Sequence, residues 1–157
     1  DKLTSKKVGS IFIYTNEAHP GEVYPHHTSL EQKIDQAAKF KERWEIKREV
    51  LVDTLEGDCH RAFGSMPNMT WILDRQMRPV YKADWTNHES IESAVDDLLS
   101  MVERRKKLKL RLSEYNVEKT EYRLVDDSKF RAGLAENGER AVTEWDVQVE
   151  RWGKRAK

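Results

Sequence analysis

Apolar positions fall along the chain in short blocks whose spacing changes from strand-like to helix-like and back. The run Val8 to Tyr14 ends in polar sequence containing Pro20 and Gly21, which predicts a buried strand opening into a loop at its C-terminal end. Ser29, with Gln32 three positions on, predicts an N-cap. Leu30, Ile34, Ala37 and Ala38 recur on one helical face as far as Trp44. Glu49 to Asp53 is a second short strand. A strand, a crossover helix and a strand of this length predict a parallel pair.

A turn at Glu56-Gly57-Asp58 and a helical segment from Cys59 to Phe63 follow. Pro67 precedes a strand at Trp71 to Leu73, and a short polar turn leads to another around Pro79 to Lys82, which predicts a hairpin. Asn87 caps a helix whose apolar stripe is Ile91, Val95, Leu98, Leu99 and Val102. Leu108, Leu110 and Leu112 alternate through the basic run that starts at Arg104, which predicts an extended segment leaving the core. Ser128 to Asn137 reads as a helix stopped by Gly138, and Val142, Trp145, Val149 and Trp152 form one face of a last helix. These two helices are expected to pair as a hairpin.

The fold class expected is α/β, with residues 1–103 as one domain and residues 104–157 as a basic linker and helical extension. The chain has 157 residues, 38% of them hydrophobic, which allows one modest core. Charged residues make up 36%, and 28 basic side chains balance 28 acidic ones, so no global field recruits nucleic acid or an anionic membrane. No apolar stretch approaches the roughly eighteen residues of a membrane span, and a soluble, cytoplasmic protein is expected. The lone cysteine, Cys59, excludes an intrachain disulfide and a CxxC motif within these residues. The first residue is Asp1, so a processed or incomplete start is expected.

Candidate chemistry gathers after the first strand. Glu17 and His19 combine a carboxylate with an imidazole that titrates near neutrality, the ingredients of a proton relay. The plainer alternative is that Glu17 caps the loop and His19 merely precedes Pro20. The histidines His19, His26 and His27 with Glu17 have donor types that suit zinc or iron, but adjacent His26 and His27 point apart in extended chain, so no metal site is expected. Cys59 beside His60 is expected to be a structural or merely accessible thiol, with peroxide reduction through it as the alternative. Trp85 is expected at the mouth of a cleft near the Pro67 turn.

Tyr14-Thr15-Asn16-Glu17-Ala18-His19-Pro20, His27-Thr28-Ser29-Leu30-Glu31, Val52-Asp53, Arg61-Ala62-Phe63-Gly64, and Pro67 ahead of Trp71-Ile72-Leu73-Asp74 occur in an order that resembles the iodothyronine deiodinases and their bacterial redoxin relatives. The resemblance spans about residues 8–102. It implies a thioredoxin-like three-layer sandwich whose first strand is missing here, with the proline before the third strand in cis beside the active site. It also implies reductive chemistry by a cysteine or selenocysteine upstream of residue 1, with a thiol reductant as co-substrate and no other cofactor. Glu17 and His19 correspond to the family's EAH pair and His27 to its substrate-holding histidine, and the proline turn at Pro67 shapes the cleft; Trp85, from its place near that turn, is expected as a further substrate-binding position. Where the family has glycines and a substrate-clamping arginine, Tyr81 to Trp85 carries Asp84, which would repel a carboxylate and argues against thyroid hormone as substrate.

The partners expected are a small-molecule substrate and either a missing N-terminal strand or a second chain completing the sheet, for which a homo-oligomer is one solution. Neither nucleic acid nor a membrane span is expected. The alternative function is a non-catalytic thioredoxin-like interaction or assembly module acting through its C-terminal hairpin.

Overall fold

A computed structural model describes residue 6 and residues 8–109, 119–122 and 124–155. It is a mixed α/β structure with five helices and two small sheets among the described residues. The chain divides into two compact units, Asp1–Pro67 with Asp126–Lys157, and Asn68–Val125.

In the first unit, β1 (Ile11–Tyr14) pairs in parallel with β2 (Glu49–Val52), with Phe12 opposite Val50 and Tyr14 opposite Val52. The connection is α1 (Leu30–Arg43). Ser29 Oγ accepts from Gln32 N at 3.2 Å, while Gln32 Oε1 accepts from Thr28 N at 2.7 Å, a reciprocal cap that satisfies two backbone donors at the helix entrance. The Phe40 ring lies 6.0 Å from that of Phe12 and 5.8 Å from that of Tyr14, holding α1 to β1.

The face of α1 that is buried differs from the apolar stripe. Leu30 and Ile34 are 48% and 51% exposed, whereas Lys33, Gln36 and Ala37 are buried. The helix is rotated because Lys33 has a fixed inward target: its ammonium donates to Thr54 O at 2.6 Å. A buried charge with a hydrogen bond is tolerable where an unpaired one is not.

After β2, Asp53 is buried and accepts backbone N–H groups from Thr54, Cys59 and His60 at 2.8, 2.9 and 2.9 Å. It therefore caps the short helix α2 (Asp58–Phe63), although Gly57, in the left-handed region at φ 76°, is the residue next to the helix.

The same unit contains α4 (Asp127–Glu136) and α5 (Glu139–Arg155). They form the expected helical pair, with Leu134 and Ala141 buried and the Phe130 and Trp145 rings 4.8 Å apart. Asn137 and Gly138 join them and also grip the loop after β1. Asn137 O accepts from Glu22 N at 2.9 Å and Val23 N at 3.2 Å, its side chain donates to His19 O at 2.8 Å, and Oδ1 accepts from Tyr24 N at 2.6 Å. Glu22 in turn accepts from Arg140 N at 3.2 Å, stabilising the positive end of α5. Gly138 has φ 109° and stands against the Glu22 carboxylate, so a side chain there would be both strained and obstructed.

In the second unit, β3 (Thr70–Leu73) and β4 (Pro79–Ala83) form the expected antiparallel hairpin. Asp74 closes its turn by accepting from Gln76 N and Arg78 N and binding the Arg78 guanidinium at 2.7 and 2.9 Å. Helix α3 (His88–Leu108) starts at Asn87, whose Oδ1 accepts from Ser90 N at 2.9 Å. The helix continues through residues 103–108, where the alternating leucines predicted extended chain. Arg105, Lys106 and Lys107 occupy its last turn, where cations oppose the negative end of the helix dipole. Leu110 and Leu112 lie outside the described residues.

The Asn137 joint sets a test of the fold. Asn137→Ala leaves His19 O and Tyr24 N each short of a partner and is expected to lower the free energy of unfolding by about 1–3 kcal/mol. Urea unfolding measures it, and a loss under about 0.5 kcal/mol, ordinary for a surface substitution, would show that the grip is not needed.

Candidate functional site

Polar groups converge where β1 ends. Tyr14, the last residue of the strand, donates its hydroxyl hydrogen bond to Glu17 Oε1. The His27 ring meets Tyr14 edge-on, with centroids 5.7 Å apart and planes at 62°. Phe40 backs the other side of Tyr14, and Gln36, one helical turn earlier on α1, supplies a buried amide beside His27.

The electrostatics follow from enclosure. Burial, then the hydrogen bond to Glu17, push the Tyr14 phenol well above its usual range, so it stays a donor. Burial lowers the His27 pKa; Gln36 and Glu17 favour the cation, and Lys33 and His26 oppose it. The imidazole is thus mainly neutral at physiological pH and acts as a polar contact.

His19 has a different setting from Glu17. Its ring is 5.7 Å from Phe130 and 5.3 Å from Trp145, close to perpendicular to both, and its buried Nδ1 has no hydrogen-bond partner. Trp145 continues the cluster to Trp152 at 5.5 Å. Asn137 fixes the His19 carbonyl, so the residue is held by side chain and backbone alike. Desolvation lowers its pKa, with Glu144 opposing. No hydrogen bond or ring contact joins His19 to Glu17 among those described, and each has its own company: Glu17 with Tyr14 and His27, and His19 with the aromatic residues of α4 and α5.

Pro67 is exposed, five positions after Ala62 of α2, and its peptide bond is trans where the resemblance implied cis. Trp85, in the second unit, follows β4 and forms a parallel bridge with Asn68. No group of histidine, cysteine and acidic residues among the described residues has the makings of a metal site.

Cys59 is half-buried in the first turn of α2. Burial and the facing Asp53 carboxylate push its thiol up, the reverse of what a reactive cysteine requires. His60 turns away from it, its Nε2 lying 3.0 Å from Met66 O. Asp53 itself is pushed up by burial, but its three backbone donors and Lys33 outweigh that, and its carboxyl lies below the usual range.

The residue pattern puts Glu17 and His27 in one loop but does not mark the two residues beside them, Tyr14 and Gln36. Tyr14 was hidden as the last position of a hydrophobic run. Gln36 was hidden because an apolar stripe one position away offered a more ordinary helix face. No protein-family model, curated protein or solved structure matches the chain.

Two outcomes follow from the charges. His19 binds its proton less readily when folded than at its ordinary value of 6.5, so the unfolded state takes up more protons as pH falls below that value. Its contribution to stability is complete above 6.5 and is lost as pH drops through the lowered folded value. The difference in unfolding free energy between the native protein and His19→Phe is expected to change between about pH 7 and pH 5, in favour of the variant at the acidic end. A constant difference across that range would contradict the buried neutral ring. Cys59 is expected to react with iodoacetamide at about pH 7.5 more slowly than an unhindered thiol, as followed by intact mass. Faster labelling would reinstate it as a nucleophile.

Proposed function

We propose that this chain carries the substrate-facing part of a thiol- or selenol-dependent oxidoreductase with a thioredoxin-like fold, of the deiodinase-like redoxin type. The observation that carries the reading is the Tyr14–Glu17 hydrogen bond with His27 packed on Tyr14, at the C-terminal end of a strand of a parallel pair. Ligands in α/β folds bind outside the carboxyl ends of parallel strands. The order of the motifs from Tyr14 to Asp74 supplies the reaction class.

In this reading two thiols of the reductant become a disulfide, and their two electrons and one proton replace the substrate's leaving group by hydrogen. The second proton and the leaving anion are released. Glu17, oriented by the hydrogen bond that it accepts from the Tyr14 hydroxyl, handles the proton, since a carboxylate held in place can receive one and pass it on, while Tyr14 keeps its own. His27 contacts the substrate. His19 is a packing residue that holds the loop bearing Glu17 against α4 and α5. Cys59, with its raised thiol and its place in the first turn of α2, is not the nucleophile. That role is assigned to a cysteine or selenocysteine ahead of Asp1 in the protein's reading frame.

The test is alkylation of the protein expressed from its full reading frame, with the site and pH dependence of labelling read by mass spectrometry. The expected result is a chalcogen outside residues 1–157 that labels rapidly below neutral pH, with a profile displaced by Glu17→Gln. A reading frame whose sole cysteine is Cys59, or an upstream thiol that titrates like a free one in both proteins, would end the proposal.

A further inference from the structure

We propose that Gln36 is a positioning residue for His27: its amide oxygen is the acceptor for an Nε2–H donor, which keeps the ring proton on Nε2 and leaves Nδ1 as the unprotonated ring nitrogen. The consequence for a substrate rests on the reading of His27 as its contact, but the assignment of the proton does not.

The geometry begins with the rotation of α1. Lys33, Gln36 and Ala37 form its buried face because Lys33 is drawn to Thr54 O, and that rotation brings Gln36 to the β1 side of the helix in place of Ile34. Gln36 is only 5% exposed. Its Oε1 and the Nε2 of His27 are both enclosed, and neither has a hydrogen-bond partner, each other included. The two side chains are close enough to interact, in the sense that favours a proton on the ring.

A glutamine oxygen can only accept, whereas a neutral imidazole has one donor and one acceptor nitrogen. If Nε2 were the unprotonated nitrogen, two neighbouring side chains would bury two acceptors with no donor for either, and each buried polar group left without a partner carries a substantial penalty. With the proton on Nε2, a small side-chain adjustment satisfies both atoms at once. The other groups around the ring do not offer Nε2 this service. Tyr14 presents its ring and gives its hydroxyl to Glu17, and Glu17, Lys33 and His26 act on His27 only as charges at a distance.

Fixing the tautomer would make His27 a defined acceptor at Nδ1, suited to a substrate that presents an O–H or N–H donor there. A ring free to exchange tautomers would spend part of its time presenting the wrong nitrogen.

The experiment is two-bond proton–nitrogen correlation NMR on the full chain, which reads each imidazole nitrogen directly and requires neither nucleophile nor substrate. The native protein is expected to show His27 as the Nε2–H tautomer. Gln36→Glu, which keeps an acceptor oxygen, is expected to preserve that tautomer and raise the His27 titration midpoint. Gln36→Met, of similar shape without an acceptor, is expected to give a mixture of tautomers and a lower midpoint. An Nδ1–H ring in the native protein, which would mean the amide is turned to offer its NH2 group, overturns the proposal. So does a tautomer unchanged by Gln36→Met. The native spectrum decides the matter alone if either variant fails to fold. The proposal can fail while an upstream chalcogen is found, and survive if none is, so the two readings are separately tested.

Discussion

The grip of Asn137 on residues 19–24 is the constraint on which the rest of the first unit depends. Four hydrogen bonds from one residue, two through its backbone carbonyl and two through its amide, tie a polar loop to the junction of two helices more than a hundred positions away. A loop with Pro20, Gly21 and Pro25 has little regular structure of its own in which to satisfy its backbone groups. Borrowing the helix junction solves that and leaves Glu17, just upstream, beside Tyr14. Glu22 completes the exchange by serving α5 as a cap, so the loop and the helix each supply what the other lacks.

A second organising device is buried polarity. Lys33, Gln36 and Asp53 are the buried polar residues of the described chain, and Lys33 and Asp53 each have a structural task. Asp53 gathers the first N–H groups of α2, Lys33 reaches Thr54 O, and their charges favour one another across the end of β2. Such groups stabilise less than a well-packed apolar core does, but they specify a single helix rotation. The exposure of Leu30 and Ile34 is the cost of that choice.

Much of the element pattern was legible in the residues. The parallel pair with its crossover helix, the hairpin and the caps at Ser29 and Asn87 occur as the spacing and turn chemistry require. Three features were not. The alternation at Leu108, Leu110 and Leu112 outweighed the helix-forming run before it, yet α3 extends to Leu108. The rotation of α1 depends on a hydrogen bond to residue 54 that no periodicity contains. The separate settings of Glu17 and His19 depend on residues 130, 137 and 145, and two positions apart in sequence gives no warning that one side chain meets a phenol and the other an aromatic cage.

The joint at Asn137 also bears on how the protein is made. Residues 19–24 leave the ribosome long before their hydrogen-bonding partners are synthesised, and contacts so distant along the chain form late because a long loop must first close. The loop of residues 19–24 therefore cannot reach its final form on a nascent chain that lacks α4 and α5, and its closure follows the synthesis of residue 140. A ribosome that stopped before residue 137 would release a strand and a helix whose polar loop had nothing to grasp.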